Sequence, residues 1–196
     1  MTLTLIEGKE LISIARDSIL SEFEHREEPP TKSIKKKYST KQGTFVTLHK
    51  HGELRGCIGF PEPMLPLYEA VIQSAKSAAF GDPRFPPLVR EEYKDIEIEI
   101  SVLTVPELII IKNPEEYPSK IIIGKDGLII RSPCGSALLL PQVASEWKWN
   151  EEEFLGNTCY KAGLSHSYWK HGSCKIYKFQ AQIFKEQNNK VIEVHE

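Results

Sequence analysis

The chain has 196 residues, 40% hydrophobic and 27% charged, which fits an ordinary soluble globular protein of one large domain or a compact pair at roughly 150 residues per domain. Its 12 glycines and 13 prolines are near average usage and exclude collagen-like and low-complexity classes; its apolar runs, such as Leu108 to Ile111, fall far short of the ~18–20 residues that span a bilayer. The formal net charge of −2 argues against a protein built to coat nucleic acid, whose domains are strongly basic. Glu7, Lys9 and Glu10 follow the first apolar residues too closely to leave a secretory segment, so a cytoplasmic protein without a membrane contact is expected. In that compartment Cys57, Cys134, Cys159 and Cys174 are expected to be thiols. Lysine outnumbers arginine, glutamate outnumbers aspartate and isoleucine is abundant, a bias shared with hyperthermophile proteins.

Leu11, Ala15, Ile19 and Phe23 recur every four residues and predict an amphipathic helix over 8–23, stopped by Pro29-Pro30. Thr31 to Gln42 reads as a polar, lysine-rich loop, and Lys35-Lys36-Lys37 within it as a solvated run or, less simply, a nucleic-acid contact. Thr44 to Leu48 and Leu54 to Ile58 flank the turn residues His51-Gly52 and predict a hairpin. A second helix is predicted over 63–80, with Pro66 in its first turn and a stripe of Leu67, Val71, Ser74 and Ala78; the proline-rich 82–87 segment ends it. Ile96, Ile98, Ile100 and Val102 alternate with Glu97, Glu99 and Ser101, a strand over 95–105 with one buried and one wet face. Residues 121–123 and 128–131 flank a Gly124–Gly127 turn signal for another hairpin. Asn150, with Glu153 at N3, caps a helix that Gly163 ends, and Tyr177, Phe179, Ala181 and Ile183 alternate with polar residues in a C-terminal strand. The elements predict an α+β fold, mainly antiparallel sheet with flanking helices, and the proline-rich 81–87 and 113–118 stretches are the expected hinges.

The peptide Leu54-Arg55-Gly56-Cys57-Ile58-Gly59 is the most unusual in the chain. Glycines without Cβ atoms at 56 and 59 let a ligand or another backbone approach. In an extended strand Arg55 and Cys57 point to one face, where a guanidinium favours the nucleophilic thiolate. The structural alternative is a small buried cysteine beside glycines that serve tight packing. Asp82 and Arg84 form a second candidate pair, either an Arg fork for a carboxylate or phosphate or an ion pair, Asp82 to Arg84 or to Arg55, that pins the loop. A cysteine nucleophile needs a base, usually histidine, but spacing alone does not choose among His49, His51, His166 and His171; His25 and His195 read as surface residues.

Cys159, His166, His171 and Cys174 lie within sixteen residues, yet their spacing is unlike a structural zinc knuckle, and no metal or cofactor is expected. Trp147, Trp149, Trp169 and Phe154 are read either as a base-stacking platform or as core. The chain lacks GxGxxG, Walker, HExxH and GxSxG patterns.

The Leu54–Gly59 hexapeptide resembles the signature of the AMMECR family, named after the AMME syndrome chromosomal region. The resemblance continues through Asp82-Pro83-Arg84-Phe85, Leu139-Leu140-Pro141-Gln142-Val143, Trp149 with Phe154-Leu155, Lys161-Ala162-Gly163-Leu164 and Trp169, over about residues 40–184. It implies a single domain of this type over 1–196, in which a larger sheet-and-helix part carries a smaller subdomain with a cleft between them. The resemblance delivers no activity; the family's occurrence beside Memo-like and radical SAM proteins implies membership of a modification system. Residues and resemblance together point to a thiol-dependent enzyme or enzyme accessory, with Cys57 and Arg55 as catalytic residues and Gly56, Gly59, Asp82 and Arg84 around a polar or anionic substrate. The alternative is a nucleic-acid- or protein-binding module without catalysis.

Overall fold

The computed structural model describes residues 2–26, 30–171, 174–188 and 190–194, so Pro29 and His195 lie outside the described residues. In chain order the elements are α1 (Leu5–Phe23), α2 (Lys32–Lys37), β1 (Thr44–Lys50), β2 (Glu53–Phe60), α3 (Leu67–Phe80), β3 (Ile96–Leu103), β4 (Glu107–Leu108), β5 (Gly127–Ser132), β6 (Gly135–Leu139), α4 (Pro141–Glu146), α5 (Glu151–Lys161), β7 (Lys175–Phe179), β8 (Ala181–Gln187) and β9 (Lys190–Val194). The fold is α+β and mainly antiparallel. The chain forms two compact units, the first from Met1–Leu103 with Gln182–His195 and the second from Thr104–Ala181. The 81–87 and 113–118 stretches lie inside the first and second unit respectively; the divisions fall instead at Leu103/Thr104 and Ala181/Gln182. Among the described residues no helix is long and apolar enough to cross a membrane.

In the first unit a five-stranded sheet of order β2-β1-β3-β8-β9 packs one face against α1 and α3. The α1 stripe is sealed, with Leu11, Ala15 and Ile19 at zero exposure. The helix begins at Leu5, ahead of the predicted Gly8, because Thr4 and Glu7 close a reciprocal capping box. The segment read as a loop contains α2. Thr31 caps it, and Ile34 and buried Tyr38, one turn apart, anchor it to the core despite its lysines. Lys37 is held by Glu10 at 2.7 Å.

Helix α3 starts at Leu67 rather than at Pro63. The residue before Pro66 is driven out of the helical region, and the Leu67 N–H donates to the Thr40 carbonyl at 3.0 Å. Its predicted stripe of Leu67, Val71, Ser74 and Ala78 is buried. Strand β3 buries Ile96, Ile98, Ile100 and Val102 as expected, but its other face is not wet. Ser101 and Leu103 are both 1% exposed, and Glu97 and Glu99 are half-buried.

The second unit has a four-stranded sheet of order β4-β7-β5-β6 and a core in which Phe154 and Leu155 of α5 meet Leu128, Ile130 and Ile176. Asn150 and Glu153 form the expected capping box, and Gly163 takes a φ of +76° just past the helix end. Residues 121–123 are not a strand: the Ile122 N–H donates to the Asp126 carboxylate and the Asp126 N–H returns to the Ile122 carbonyl, closing the segment into a turn. β5 pairs instead with β6, across Pro133-Cys134. The predicted C-terminal strand is broken at Gln180 into β7 and β8, which belong to different sheets. Gln180 leaves the ladder to exchange hydrogen bonds with Thr104, at 2.9 Å each way.

Candidate functional site

The β1–β2 hairpin closes through His51 and Gly52, both at positive φ, which suits the twist of a two-residue turn. Past the turn the register slips by one residue: His49 faces Leu54, whereas Leu48 faces Gly56, and Arg55 is left as a bulge without a partner. This bulge overturns the expectation that Arg55 and Cys57 share a face. Leu48, Gly56 and Ile58 lie toward the helices, Cys57 pairs with Thr47 on the opposite face, and Arg55 turns toward Lys50. The Arg55 guanidinium binds both Glu92 oxygens, at 2.9 and 3.2 Å, and Lys50 joins the same carboxylate at 2.8 Å. Arg55 above all, then Lys50 and the Val89 N–H, pull the Glu92 carboxyl down to about 2 against the cost of burial.

Arg84 takes the place beside the thiol that Arg55 leaves. Helix α3 ends at Phe80, Gly81 follows, and Asp82 is then buried at 4% exposure. Its carboxylate accepts the Cys57 N–H at 2.9 Å, the Arg84 N–H at 3.1 Å and the Arg84 guanidinium at 3.0 and 2.7 Å. The Arg84 fork above all, joined by the backbone N–H groups, holds Asp82 far below the usual carboxylate range. The same Arg84 nitrogen donates to the Cys57 carbonyl at 3.3 Å, and the side chain keeps 54% of its surface exposed. Asp82 raises the Arg84 pKa most; the Cys57 side chain adds smaller contributions of the same sign. Asp82 thus pairs with Arg84, not with Arg55.

Cys57 itself is half-buried, and the Thr47 hydroxyl donates to its sulfur at 3.3 Å. The two flanking glycines admit the protein's own backbone. A Cβ on Gly56 would stand 2.1 Å from the Ala78 carbonyl oxygen of α3, and one on Gly59 2.3 Å from the Thr44 carbonyl oxygen. Gly56 therefore sets how closely the α3 end, and with it Asp82, can approach Cys57.

Among the described histidines, only His49 lies on this sheet face. Its Nε2 is buried without a hydrogen-bond partner, 3.9 Å from a Glu99 oxygen, and burial followed by Lys185 lowers its pKa against the pull of Glu97. His25 and His51 are exposed at positive φ, His166 stacks on Tyr160, and His171 meets Tyr168 edge-on. Cys159 and Cys174 are buried in the second unit, where burial pushes the Cys159 thiol up to about 11. Among the described residues no three His, Cys, Asp or Glu side chains converge as metal ligands. The four aromatics divide: Phe154 and Trp169 are core, while Trp147, 68% exposed, stacks on Trp149. Sequence reasoning missed Glu92 and Thr47. A run of acidic residues hid the first, and the bulge that brings the second opposite Cys57 leaves no mark in residue type.

A two-sheet α+β fold with a hexapeptide strand pinned to a buried aspartate defines a class, and the family model for AMMECR1 matches residues 12–184. The chain belongs to the AMMECR1 family. It is 49% identical over 181 residues to a Methanothermobacter thermautotrophicus protein, covering 92% of this chain and 94% of that one. It is 50% identical over 186 residues to a Pyrococcus furiosus protein, covering 92% and 88% respectively. The crystal structure of protein PH0010 from Pyrococcus horikoshii superimposes with a TM-score of 0.90 at 45% identity, over 96% of this chain and 97% of that one.

Proposed function

We propose that this protein is a thiol-dependent enzyme, or the thiol-bearing accessory of a modification system, that accepts a polar or anionic substrate at Arg84 and attacks it with Cys57. One observation carries the proposal: a single buried carboxylate, Asp82, binds the Cys57 backbone and the Arg84 guanidinium together, which fixes a cation beside a nucleophile. Arg84 is exposed enough to offer its free edge to an anion, and Asp82 keeps it from swinging away. In group transfer the Cys57 sulfur bonds to the electrophilic atom of the substrate, the leaving group departs with the electron pair, and the thiol proton ends on that leaving group. Arg55, bound to Glu92, is assigned to holding the bulged strand in place, a positioning role for the thiol. Gly56 serves the same end by admitting α3. Association with Memo-like or radical SAM proteins fits the accessory form and is tested by co-purification from cells.

The direct test is charge-selective alkylation of Cys57, followed by mass spectrometry of its peptide. A unit positive charge about 5 Å away is worth about 1 kcal/mol in water, so Arg84 raises the ratio of iodoacetate to iodoacetamide reactivity about fivefold over Arg84→Gln. An equal ratio in both proteins refutes an anion subsite at Arg84, and a Cys57 that resists both reagents in the folded protein refutes the nucleophile.

A further inference from the structure

The sheet face that carries Cys57 holds more than a thiol. The register places Cys57 of β2 opposite Thr47 of β1, and Thr47 opposite Glu99 of β3, so the three side chains form one line across adjacent strands. Directly opposite residues hold their Cβ atoms about 5 Å apart, within reach of a short hydroxyl and a longer carboxylate. The first link is a hydrogen bond, Thr47 hydroxyl to Cys57 sulfur at 3.3 Å. A hydroxyl both donates and accepts, so Thr47 can face a thiol on one side and a carboxylate on the other. Glu99 is 15% exposed at its side chain, and Thr47 is 8% exposed. Water therefore has little access to the middle of the line, so a proton that leaves half-buried Cys57 toward Thr47 meets a protein group rather than solvent.

Resting on the thiol reading above, we infer that Glu99 is the base for Cys57, acting through the Thr47 hydroxyl. Once the Thr47 hydroxyl turns its proton from the sulfur to Glu99, the thiol proton passes to the Thr47 oxygen as the Thr47 proton passes to the Glu99 carboxylate. A thiolate and a neutral carboxylic acid result, with no change of oxidation state, and Glu99 later returns the proton to the leaving group by the same route. The environment of Glu99 accommodates its protonated form. The unpartnered Nε2 of His49, 3.9 Å away, is an acceptor toward which a new O–H can turn when the imidazole proton sits on Nδ1. The other charged groups near His49 are Glu97 on the same strand as Glu99 and Lys185 from β8; burial above all, then Lys185, lowers the imidazole pKa against the pull of Glu97. Thr47 touches the reacting sulfur, and Glu99 is a positioning residue that acts through it.

The test is the pH dependence of Cys57 alkylation by iodoacetamide in the full chain. Thr47→Val keeps the shape but removes the hydroxyl, and Glu99→Gln removes the base. Both are expected to slow alkylation by at least about tenfold near pH 7, a bound set below the usual general-base range of about 10²–10⁴. The deficit closes near pH 10, well above the ordinary thiol value of about 8.5, where the sulfur ionises without help. Thr47→Ser, which restores the hydroxyl, returns the rate. Slowing that is equal at both pH values marks a structural effect and overturns the inference, as does a wild-type rate in Thr47→Val. The anion preference set by Arg84 survives in Thr47→Val if the substrate-site reading holds, so the two ideas fail separately.

Discussion

Replacing Asp82 by Asn tests the junction on which the site is built. The carboxylate accepts four hydrogen bonds, one from the Cys57 N–H and three from Arg84. An amide in its place turns an NH2 group toward donors and leaves the guanidinium without its counter-charge. Breaking a buried pair by removing one partner costs about 3–5 kcal/mol when both charges are sequestered. Arg84 is half in water and recovers part of its solvation, which brings the expected loss to about 2–3 kcal/mol. For a chain of this size, about 2–4 °C per kcal/mol gives a fall in Tm of about 4–12 °C, read by thermal unfolding at neutral pH. The pH dependence adds a second check. The Asp82 pKa is depressed in the folded state, so its stabilisation is complete above the ordinary value of 3.8 and is lost as pH falls below it toward the folded value. The gap between wild type and Asp82→Asn should therefore narrow at about pH 3. A Tm unchanged to about 1 °C, or a gap as wide at pH 3 as at pH 7, refutes the reasoning.

Glu92→Gln should destabilise by about 3 kcal/mol, because Arg55 stays buried with one nitrogen already unpartnered; denaturant unfolding measures it. In the wild type this carboxylate's share of the stability should disappear as pH falls from 4.5 to about 2, visible as steepening acid denaturation that Glu92→Gln lacks. Gly56→Ala puts a methyl 2.1 Å from a helix carbonyl that cannot rotate away, and should cost at least about 2 kcal/mol by the same denaturant assay while lowering the Cys57 alkylation rate. Thiol labelling near pH 8 should modify exposed Cys134 and half-buried Cys57 in the native protein and leave Cys159 and Cys174 untouched until denaturant is added, as counted by mass.

Much of the scaffold is written in residue type. The α1 and α3 stripes, the His51-Gly52 turn, the β3 isoleucines and the Asn150 cap each obey a local rule that their surroundings do not override. What escaped is set by pairing between distant segments. A strand buried on both sides, such as β3, carries Glu99 and Ser101 where alternation expects water, and the run after residue 174 changes sheet at Gln180 with no break in its pattern. The site follows the same division. Cys57, Asp82 and Arg84 stand out in the sequence by their glycine and proline neighbours. Counting back from the turn, however, pairs Cys57 with Val46, and only the bulge at Arg55 moves it to Thr47. That single-residue slip turns one arginine away from the thiol and leaves its place to the other.

The stem formed by Thr104 and Gln180 also bears on the order in which the chain is made. Everything in the second unit is contiguous, so it can assemble as soon as its own last strand leaves the ribosome. The first unit must wait, because β8 and β9, which complete its sheet beside β3, are translated last. Until they arrive, the flank of β3 is an open edge flanked by a finished neighbour, and Phe184 has yet to close over Gly8. Nascent-chain stalling should accordingly find the inserted unit protease-resistant while the half that holds the thiol is still pliable.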